Sequence, residues 1–247
     1  MLYYIAEVRW VNETKDVSKA KLSHSEKLAN SRIYYAKLFW LFIFGSLIGV
    51  VVEGLYCLFV HGHWQTHVVS MWGPFCILYG IGFVGFYVGA VKLRDKNIVL
   101  RFLVYALVGS GTELLSGLFL DKVLNMYAWN YNGQFLVVQG VISFEMTVAW
   151  GLLGILFEFA VPLADRIFDK WKGKAWDIIV IIFSAFMAVN FIFTCICIAR
   201  WAQRHKGKQA RNRFESYVDS RYDDKYMKKR FVEWDFLDGV KIDGQIF

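Results

Sequence analysis

Three glutamates and one tyrosine interrupt stretches of this sequence that are otherwise apolar or small. They are Glu53, Tyr79, Glu113 and Glu145. The clearest case is GSGTELLSGL (109–118), in which Glu113 is the single ionisable side chain. A carboxyl group in such surroundings can bind a cation, carry a proton or hydrogen-bond to a neighbouring helix, and each use requires that the chain shield it from lipid. The segments around these residues therefore decide what chemistry is open to them.

These segments are typical of an integral membrane protein. The 247 residues are 57% hydrophobic with only 2 prolines, and the mean hydropathy is +0.38. A helix of about 20 apolar residues crosses the hydrocarbon core, whereas barrel strands are about 10 residues long and alternate in polarity. The apolar runs here are long and do not alternate. We therefore expect an all-α polytopic bundle of about five transmembrane helices, at 37–60, 72–91, 99–120, 138–164 and 177–199.

Basic residues divide the chain into three parts and predict its orientation. A basic N-terminal segment (1–36) precedes the transmembrane domain (37–199), and a basic, polar tail (200–247) follows it. The N-terminal segment and the two loops on its side, with the adjoining span ends, carry 15 Lys and Arg, whereas the other two loops carry only Lys122. The positive-inside rule then predicts a cytoplasmic N-terminus. With five spans the tail would lie outside, although its 12 Lys and Arg favour the cytoplasmic side. Either the tail is external, or one of the five apolar runs does not cross the membrane.

A repeat of two helical hairpins is indicated by the spacing of glycine and glutamate. The pattern Gly-x-x-x-Glu occurs in the first span (49–53) and again in the third (109–113). Each of these spans leads through an aromatic-containing loop to a span with an aromatic-glycine pair, at 79–80 and at 150–151. Both halves begin on the same side, so the repeat would be parallel, with its axis along the membrane normal.

A common depth is predicted for the four residues named first. The helical rise places all of them roughly 10 Å below the outer interface. A charge that faces lipid costs about 3 kcal/mol on insertion scales, so we expect these side chains to face the bundle interior, where no Lys or Arg is available to pair with them. We predict a substrate- or ion-binding layer of Glu53, Tyr79, Glu113 and Glu145, with supporting polar side chains from Thr112, Ser116, Trp129, Ser143 and Thr147. The alternative is a protonated, hydrogen-bonded network that only holds helices together.

Other ionisable and metal-binding side chains have simpler interpretations. His61, His63 and His67 share a short loop in which a transition metal could bind, but no matching cluster occurs in the second half, so we expect no metal site and no cofactor. Glu158 lies near the inner end of the fourth span, where we expect it to snorkel or to pair with Arg166. The four cysteines fall in apolar runs and are expected to be small buried hydrophobic residues.

Several of these motifs follow one another in an order that resembles a bacterial membrane family, the ABC-transporter type IV or CmpB-like permeases. The stretches that carry the resemblance are GVVVE (49–53), WGPFCILYGIG (72–82), GTELLSG (111–117), AWNY (128–131), QGVISFE (139–145) and WGLLG (150–154). The family has a glutamate in its third span, matched by Glu113, and commonly Trp-Asp-Tyr in the next loop, where this chain has Trp129-Asn130-Tyr131. Because Asn130 stands where the family commonly has aspartate, a function that depends on a charge in this loop is less well supported. The resemblance implies a permease and no particular substrate.

Two other functions compete with transport. The chain contains no Gly-x-x-x-x-Gly-Lys-Ser/Thr, Gly-x-Ser-x-Gly or His-Glu-x-x-His motif, so ATP-driven transport would need a separate ATPase or another membrane subunit. The first alternative is a non-catalytic interaction or sensory subunit, and the second is a membrane-embedded enzyme for lipid-linked substrates; we favour a protein that is not an enzyme. We expect a multi-pass cell-membrane protein that contacts the lipid bilayer, with a homo-oligomer left open. No nucleic-acid partner is expected, because basic residues beside spans follow from topology alone.

Overall fold

The computed structural model describes residue 28 and residues 31–65, 67–237, 241–242 and 245–246, and this part of the chain is mostly helical. Its long and short helices are α1 (Tyr35–His61), α2 (Ile77–Lys92), α3 (Ile98–Phe119), α4 (Phe144–Phe168), α5 (Lys174–His205), α6 (Arg213–Arg221) and α7 (Asp224–Arg230). A π-helical turn at Leu120–Leu124 extends α3. Two antiparallel pairs of two-residue strands join β1 (Met126–Tyr127) to β2 (Asp235–Phe236) and β3 (Lys241–Ile242) to β4 (Gln245–Ile246). The predicted all-α membrane bundle is confirmed.

Of the described helices, four are long and apolar enough to cross a membrane: α1, α3 with its π-helical turn, α4 and α5. The other expected span is α2, which has only 16 residues and is therefore about 24 Å long, short of a hydrocarbon core of about 30 Å. The run at 72–91 thus combines loop with helix. The run at 138–164 also contains both loop and helix, because α4 begins only at Phe144.

Polar caps determine where two of the long helices begin. The Asn97 side chain accepts a hydrogen bond from the Leu100 N–H at the start of α3, and the Ser143 side chain accepts one from the Met146 N–H at the start of α4. Such caps satisfy amide groups that have no partner inside the helix. Local sequence therefore separates the helices from the loops at these two points.

The first four helices form two hairpins that pack in the same way. In the α1–α2 hairpin the ring of Tyr79 lies on Gly49, and in the α3–α4 hairpin the ring of Trp150 lies on Gly109; a Cβ at either glycine would overlap the ring. A second contact, between a ring of the first helix and a glycine of the second, repeats as Phe42 with Gly80 and Phe102 with Gly151. The contacts recur at matching positions, as expected for the repeat predicted from the sequence.

The segment between α1 and α2 folds back into the bundle, and we call residues 67–76 the re-entrant loop. Near its tip, the Trp72 N–H donates to Asn190 Oδ1 at 3.1 Å, and Asn190 Nδ2 donates to the Trp72 carbonyl at 2.8 Å. At its end, the Cys76 N–H donates to the Ser46 carbonyl at 3.2 Å. Asn190 and Ser46 lie near the middle of α5 and α1. Non-helical backbone at this depth requires partners from the protein because lipid offers none.

The C-terminal tail packs on the end of the bundle that holds the re-entrant loop. Arg230 donates through Nε to the Ser70 carbonyl at 2.8 Å and through Nη2 to the Gly73 carbonyl. Strand β2 of the tail pairs with β1, which follows the π-helical turn. We call this the upper end, with the re-entrant loop, the 125–143 loop and the tail, and we call the opposite end, with the short connections after α2 and α4, the lower end.

Candidate functional site

Glu113 is buried in the half of α3 that lies towards the upper end. It is 6% exposed, and its Oε1 accepts a hydrogen bond from the Tyr131 hydroxyl at 3.0 Å. Its Oε2 is buried without a hydrogen-bond partner, and so is the indole Nε1 of Trp150. Trp150 is a near neighbour of Glu113, but the two groups do not meet in hydrogen-bonding geometry. A buried acceptor and a buried donor therefore lie close together without partners, which is costly in a protein interior.

Aromatic rings surround this carboxyl group. The ring of Trp150 lies over Gly109, one helical turn from Glu113, and the centre of the Tyr79 ring is 6.0 Å from that of Trp150. Tyr131 reaches the carboxyl from the 125–143 loop. Burial and the Glu113 carboxylate raise the pKa of the Tyr131 phenol well above its usual value, so this hydroxyl stays a hydrogen-bond donor.

Glu53 approaches the same region from α1 and is less buried. Its side chain is 25% exposed, and its Oε1 lies 3.8 Å from Nδ1 of His67 in the re-entrant loop. It is near enough to Glu113 and to Tyr131 to interact with both electrostatically. Glu53 and Glu113 occupy matching positions in the two hairpins, so the repeat brings two carboxyl groups into one region.

His67 connects this region to the tail. Its Nδ1 is 2.5 Å from Oε2 of Glu233, and its Nε2 is 3.2 Å from Sγ of Cys57. Burial acts to lower the pKa of His67, but the hydrogen bond with Glu233 and the charges of Glu233 and Glu53 outweigh it and raise the pKa above its usual value. The order Cys57–His67–Glu233 is that of a nucleophile, a base and an orienting carboxylate. The thiol is 4% exposed and lies near two carboxylates that would repel a thiolate, so we do not interpret it as a nucleophile.

Glu145 does not join the other two glutamates. It is the second residue of α4, where it is exposed, and its Oε1 accepts a hydrogen bond from the Phe135 N–H at 2.9 Å. The expectation that Glu145 lies as deep as Glu113 is wrong, because the apolar residues before it form a loop rather than a turn of helix. Its observed contact anchors the 125–143 loop.

The supporting polar residues bond largely within their own segments. They are Thr112, Ser116, Trp129, Ser143 and Thr147. Thr112 donates to a carbonyl of its own helix, Ser143 caps α4, and Ser116 is half-buried on α3. Trp129 donates from Nε1 to the Val141 carbonyl at 2.9 Å, across the 125–143 loop. Thr147 links two helices, because it accepts a hydrogen bond from the Ser110 hydroxyl at 2.9 Å.

The profile of the family described as Putative ABC-transporter type IV matches residues 40–195. The chain belongs to this family. The match includes Glu53, Tyr79, Glu113 and Trp150 and ends before the tail. No curated protein and no solved structure matches the chain.

At the lower end of this type IV family member, a buried glutamate has a full set of partners. Glu158 is 3% exposed, and it accepts hydrogen bonds from Arg101 Nη1 at 2.5 Å and from the Tyr105 hydroxyl at 2.7 Å. The expectation that Glu158 snorkels or pairs with Arg166 is wrong, because Arg101 on the adjacent helix α3 points at it. This pair closes the lower end of the α3–α4 hairpin.

A second buried pair at the lower end was not identified from the sequence. Lys37 is fully buried, with Nζ 2.6 Å from Asp165 Oδ1 and 3.1 Å from the Tyr87 hydroxyl. The same lysine lies 3.0 Å from Asp169, whose pKa is lowered because the hydrogen bonds from Lys37 and Tyr34 outweigh its burial. The position of Lys37 at the start of α1 gives no indication of its partners on α4.

Metal binding by the histidine loop finds no support in the described residues. Among them, no group of three or more His, Cys, Asp or Glu side chains is arranged to hold a metal ion. His67 is engaged by Glu233 and Cys57, and His63 is exposed. The side chain of His61 lies outside the described part of the chain.

Proposed function

We propose that this chain is the membrane-spanning subunit of a transporter, and that Glu113, with Glu53 beside it, binds a proton or a small cation inside the bundle. The observation that carries the proposal is the buried Oε2 of Glu113, which has no partner in the described part of the chain. A buried carboxylate without a positive charge beside it is so unfavourable that the group takes up a proton or holds a cation. Intramembrane ionisable groups commonly mark ion and proton pathways.

The different exposure of the two glutamates supports transfer between them. The Glu53 side chain is 25% exposed and Glu113 is 6% exposed. A proton or cation would reach Glu53 first and would then be held between two carboxyl groups that repel each other when both are charged. Tyr131 belongs to a loop rather than to a helix, so movement of that loop would free Oε1 of Glu113 for a ligand.

A transporter of this kind needs a source of energy. The chain carries no P-loop motif, and its family description names ABC transporters. We propose a separate ATPase subunit as its partner, docked at the lower end, where the side chains of Lys92 at the end of α2 and of Lys96, Lys170 and Lys172 in the two short connections are exposed. The exposed apolar faces of α3, α4 and α5 would contact the lipid bilayer.

One observation favours the competing function of a structural interaction subunit. The hydrogen bond from Tyr131 to Glu113 ties the 125–143 loop to α3, and a protonated Glu113 would make the same bond. In that case Glu113 is a polar contact between segments, and it should show no response to cations.

Labelling with a hydrophobic carbodiimide distinguishes the two functions, because this reagent couples to protonated carboxyl groups within membranes. We expect Glu113 of the purified full-length protein in lipid nanodiscs to be labelled, and labelling to fall when the pH is raised or when Li⁺, Na⁺ or K⁺ binds. Glu113→Gln should abolish this labelling. The control Asp95→Asn, which alters an exposed carboxylate at the lower end, should leave it intact.

The structural alternative gives a different set of results. If Glu113 is never labelled, or if its labelling is unaffected by pH and by all three salts, the ion-binding proposal fails. Thermal unfolding of Glu113→Gln then shows how much the residue contributes as a contact, since glutamine keeps its size and hydrogen-bonding capacity.

A further inference from the structure

A pocket lies at the upper end, beside the last turn of α3. Its volume is about 460 Å³, within the range of roughly 300–1,000 Å³ that small-molecule sites occupy. The π-helical turn after α3 and the 125–143 loop form most of its wall, and Leu237 of the tail completes it. Two adjoining segments and one residue of the tail, which is remote in sequence, therefore build one concave surface.

Three side-chain amides contribute to the polar lining. Asn130, Asn132 and Gln139 all border the pocket. Asn130 Oδ1 accepts a hydrogen bond from the backbone N–H of Asn132 at 2.8 Å, which leaves the Asn130 amide free to donate. Within the described part of the chain, the side-chain amides of Asn132 and Gln139 have no hydrogen-bond partner. The two charged lining residues, Asp121 and Lys122, pair with each other at 2.6 Å, so the pocket has no net charge.

An immobilised aromatic ring lies beside these amides. Trp129 borders the pocket, and its Nε1 is already bonded to the Val141 carbonyl at 2.9 Å. The indole therefore cannot donate to a ligand from Nε1 while that bond holds, and it offers an apolar surface. An apolar ring face surrounded by amides suits a ligand with C–H groups on one side and hydroxyl groups at its edge.

The rim of the pocket is held in backbone conformations that are uncommon. Gln139 has a φ of 53°, and the next residue, Gly140, has a φ of 69°. A Cβ on Gly140 would lie 3.1 Å from Asn130 Oδ1 and 3.2 Å from Asn132 Oδ1, so a glycine lets the loop close around both amides. Positive φ at a non-glycine residue is unfavourable and is concentrated at ligand sites, as are π-helical turns.

We propose that this pocket binds one uncharged, hydroxyl-rich ring, that is, a single sugar unit. Amides both donate and accept hydrogen bonds, and so do hydroxyl groups, so each free amide can satisfy one or two hydroxyls. The internally neutralised Asp121–Lys122 pair leaves no charge to select an ion. The ring can come from a free sugar in water or from the headgroup of a glycolipid, since the pocket lies where transmembrane helices end.

The sugar pocket goes beyond the cation site and does not depend on it. The lining residue Gly117 is one helical turn from Glu113 on α3, and the lining residues Asn130 and Asn132 flank Tyr131, whose hydroxyl bonds to Glu113. The two sites are thus neighbours with different chemistry. Loss of carbodiimide labelling at Glu113 would leave the sugar pocket untouched.

Binding to the full-length protein in nanodiscs tests the proposal. The soluble probes are radiolabelled methyl glycosides of glucose, galactose, mannose and N-acetylglucosamine, and the lipid probe is a monoglucosyl diacylglycerol compared with diacylglycerol alone. We expect saturable binding of at least one sugar probe. Asn132→Ala and Gln139→Gly should each weaken it about five- to tenfold, the effect of one lost hydrogen bond. Glycine at 139 relaxes the positive φ, so that variant should keep the fold.

The matched control is Gln65→Ala, which removes an amide from the other upper loop and should leave sugar binding unchanged. Binding of a methyl glycoside identifies a free sugar as the source, and binding of the glycolipid alone identifies a lipid headgroup; either supports the site. Three results overturn it: no saturable binding of any sugar probe, equal binding by wild type and both pocket variants while their melting temperatures agree, or displacement of the sugar probe by choline or glutamate.

Discussion

Buried charged side chains in this protein follow two patterns. At the lower end, Lys37 lies 2.6 Å from Asp165, and Arg101 lies 2.5 Å from Glu158. In the described residues around Glu113, the one hydrogen-bond partner is the neutral Tyr131 hydroxyl. Breaking a buried ion pair usually costs about 3–5 kcal/mol because it leaves a charge uncompensated. The lower pairs therefore hold helices in position, whereas Glu113 has no charged partner of this kind in the described residues, which is why we propose that it binds a proton or a cation.

His67 should make docking of the tail depend on pH. Its pKa is raised above the usual 6.5, since the hydrogen bond to Glu233 and the two nearby carboxylates outweigh its burial. The stabilisation from the protonated ring is therefore fully present below about pH 6.5 and is lost as the pH rises through the raised pKa. We expect hydrogen exchange of residues 224–237, corrected for the intrinsic rate, to show protection that falls over this window.

Variants at two histidines isolate this effect. His67→Gln should lower the protection of the tail at acidic pH and remove its pH dependence. His63→Gln, an exposed histidine in the same loop region, should behave as wild type. The assignment to His67 is wrong if protection in wild type rises with pH, or if His67→Gln keeps the same pH profile.

At the scale of elements, the two hairpins depend on glycines that admit aromatic rings. Gly109→Ala places a methyl group where the Trp150 ring lies, whereas Gly111→Ala, on the same helix, meets nothing within 4 Å. Overpacking costs about 1–3 kcal/mol, and alanine favours a helix by up to about 1 kcal/mol over glycine. Thermal unfolding in detergent should show a lower Tm for Gly109→Ala and an equal or higher Tm for Gly111→Ala.

The repeat predicts the same effect for the equivalent glycine in the other hairpin. Gly49→Ala meets the Tyr79 ring in the equivalent contact and should lower the Tm about as much as Gly109→Ala does. If only one of the two variants has a lower Tm, the equivalent contacts contribute differently to the stability of the two hairpins.

Local patterns are enough to predict the long helices and to place Glu113 on one of them, but not the segments that fold back. Uninterrupted apolar length is a good guide to α1 and α5, and spacing revealed the equivalence of Gly49 and Gly109. Apolar length does not separate loop from helix at 72–91, because the end of the re-entrant loop is also apolar. That loop is set by Asn190 and Arg230, more than 100 positions later in the chain, and no local signal identifies a partner so distant. Glu145 was misplaced for the same reason, since an apolar loop precedes it.

At the scale of the whole molecule, the tail shares a side with the two upper loops. Arg230 bonds to the re-entrant loop and β2 pairs with β1, so the tail and these loops lie at the same end of the bundle. The predicted orientation puts that end outside, although the tail is basic. Because the contacts are direct, whichever side one of these segments occupies, the others occupy it too.

Cysteine labelling tests this arrangement. In a background without the four native cysteines, single cysteines at Gln65, in the upper loop, and Ser216, in the tail, should react alike with an impermeant maleimide in intact cells. A cysteine at Lys172, at the lower end, should show the opposite behaviour. Reaction at Gln65 and Ser216 but not at Lys172 supports an external upper end, and the reverse pattern inverts the molecule. Opposite reactivity of Gln65 and Ser216 would contradict the packing of the tail.

The contact between Arg230 and the re-entrant loop also sets an order for biosynthesis. The partner of the Ser70 carbonyl, Arg230, is 160 positions later in the chain. At about 5–20 residues per second, the ribosome adds Arg230 roughly 10–30 s after Ser70. Throughout that time the re-entrant loop lacks its contact with Arg230, whether or not it has already packed into the bundle. The membrane helices can therefore assemble during translation, but the upper end closes only after residue 230 has been synthesised. A nascent chain that stalls before residue 230 should present this loop to the quality-control proteases of the membrane.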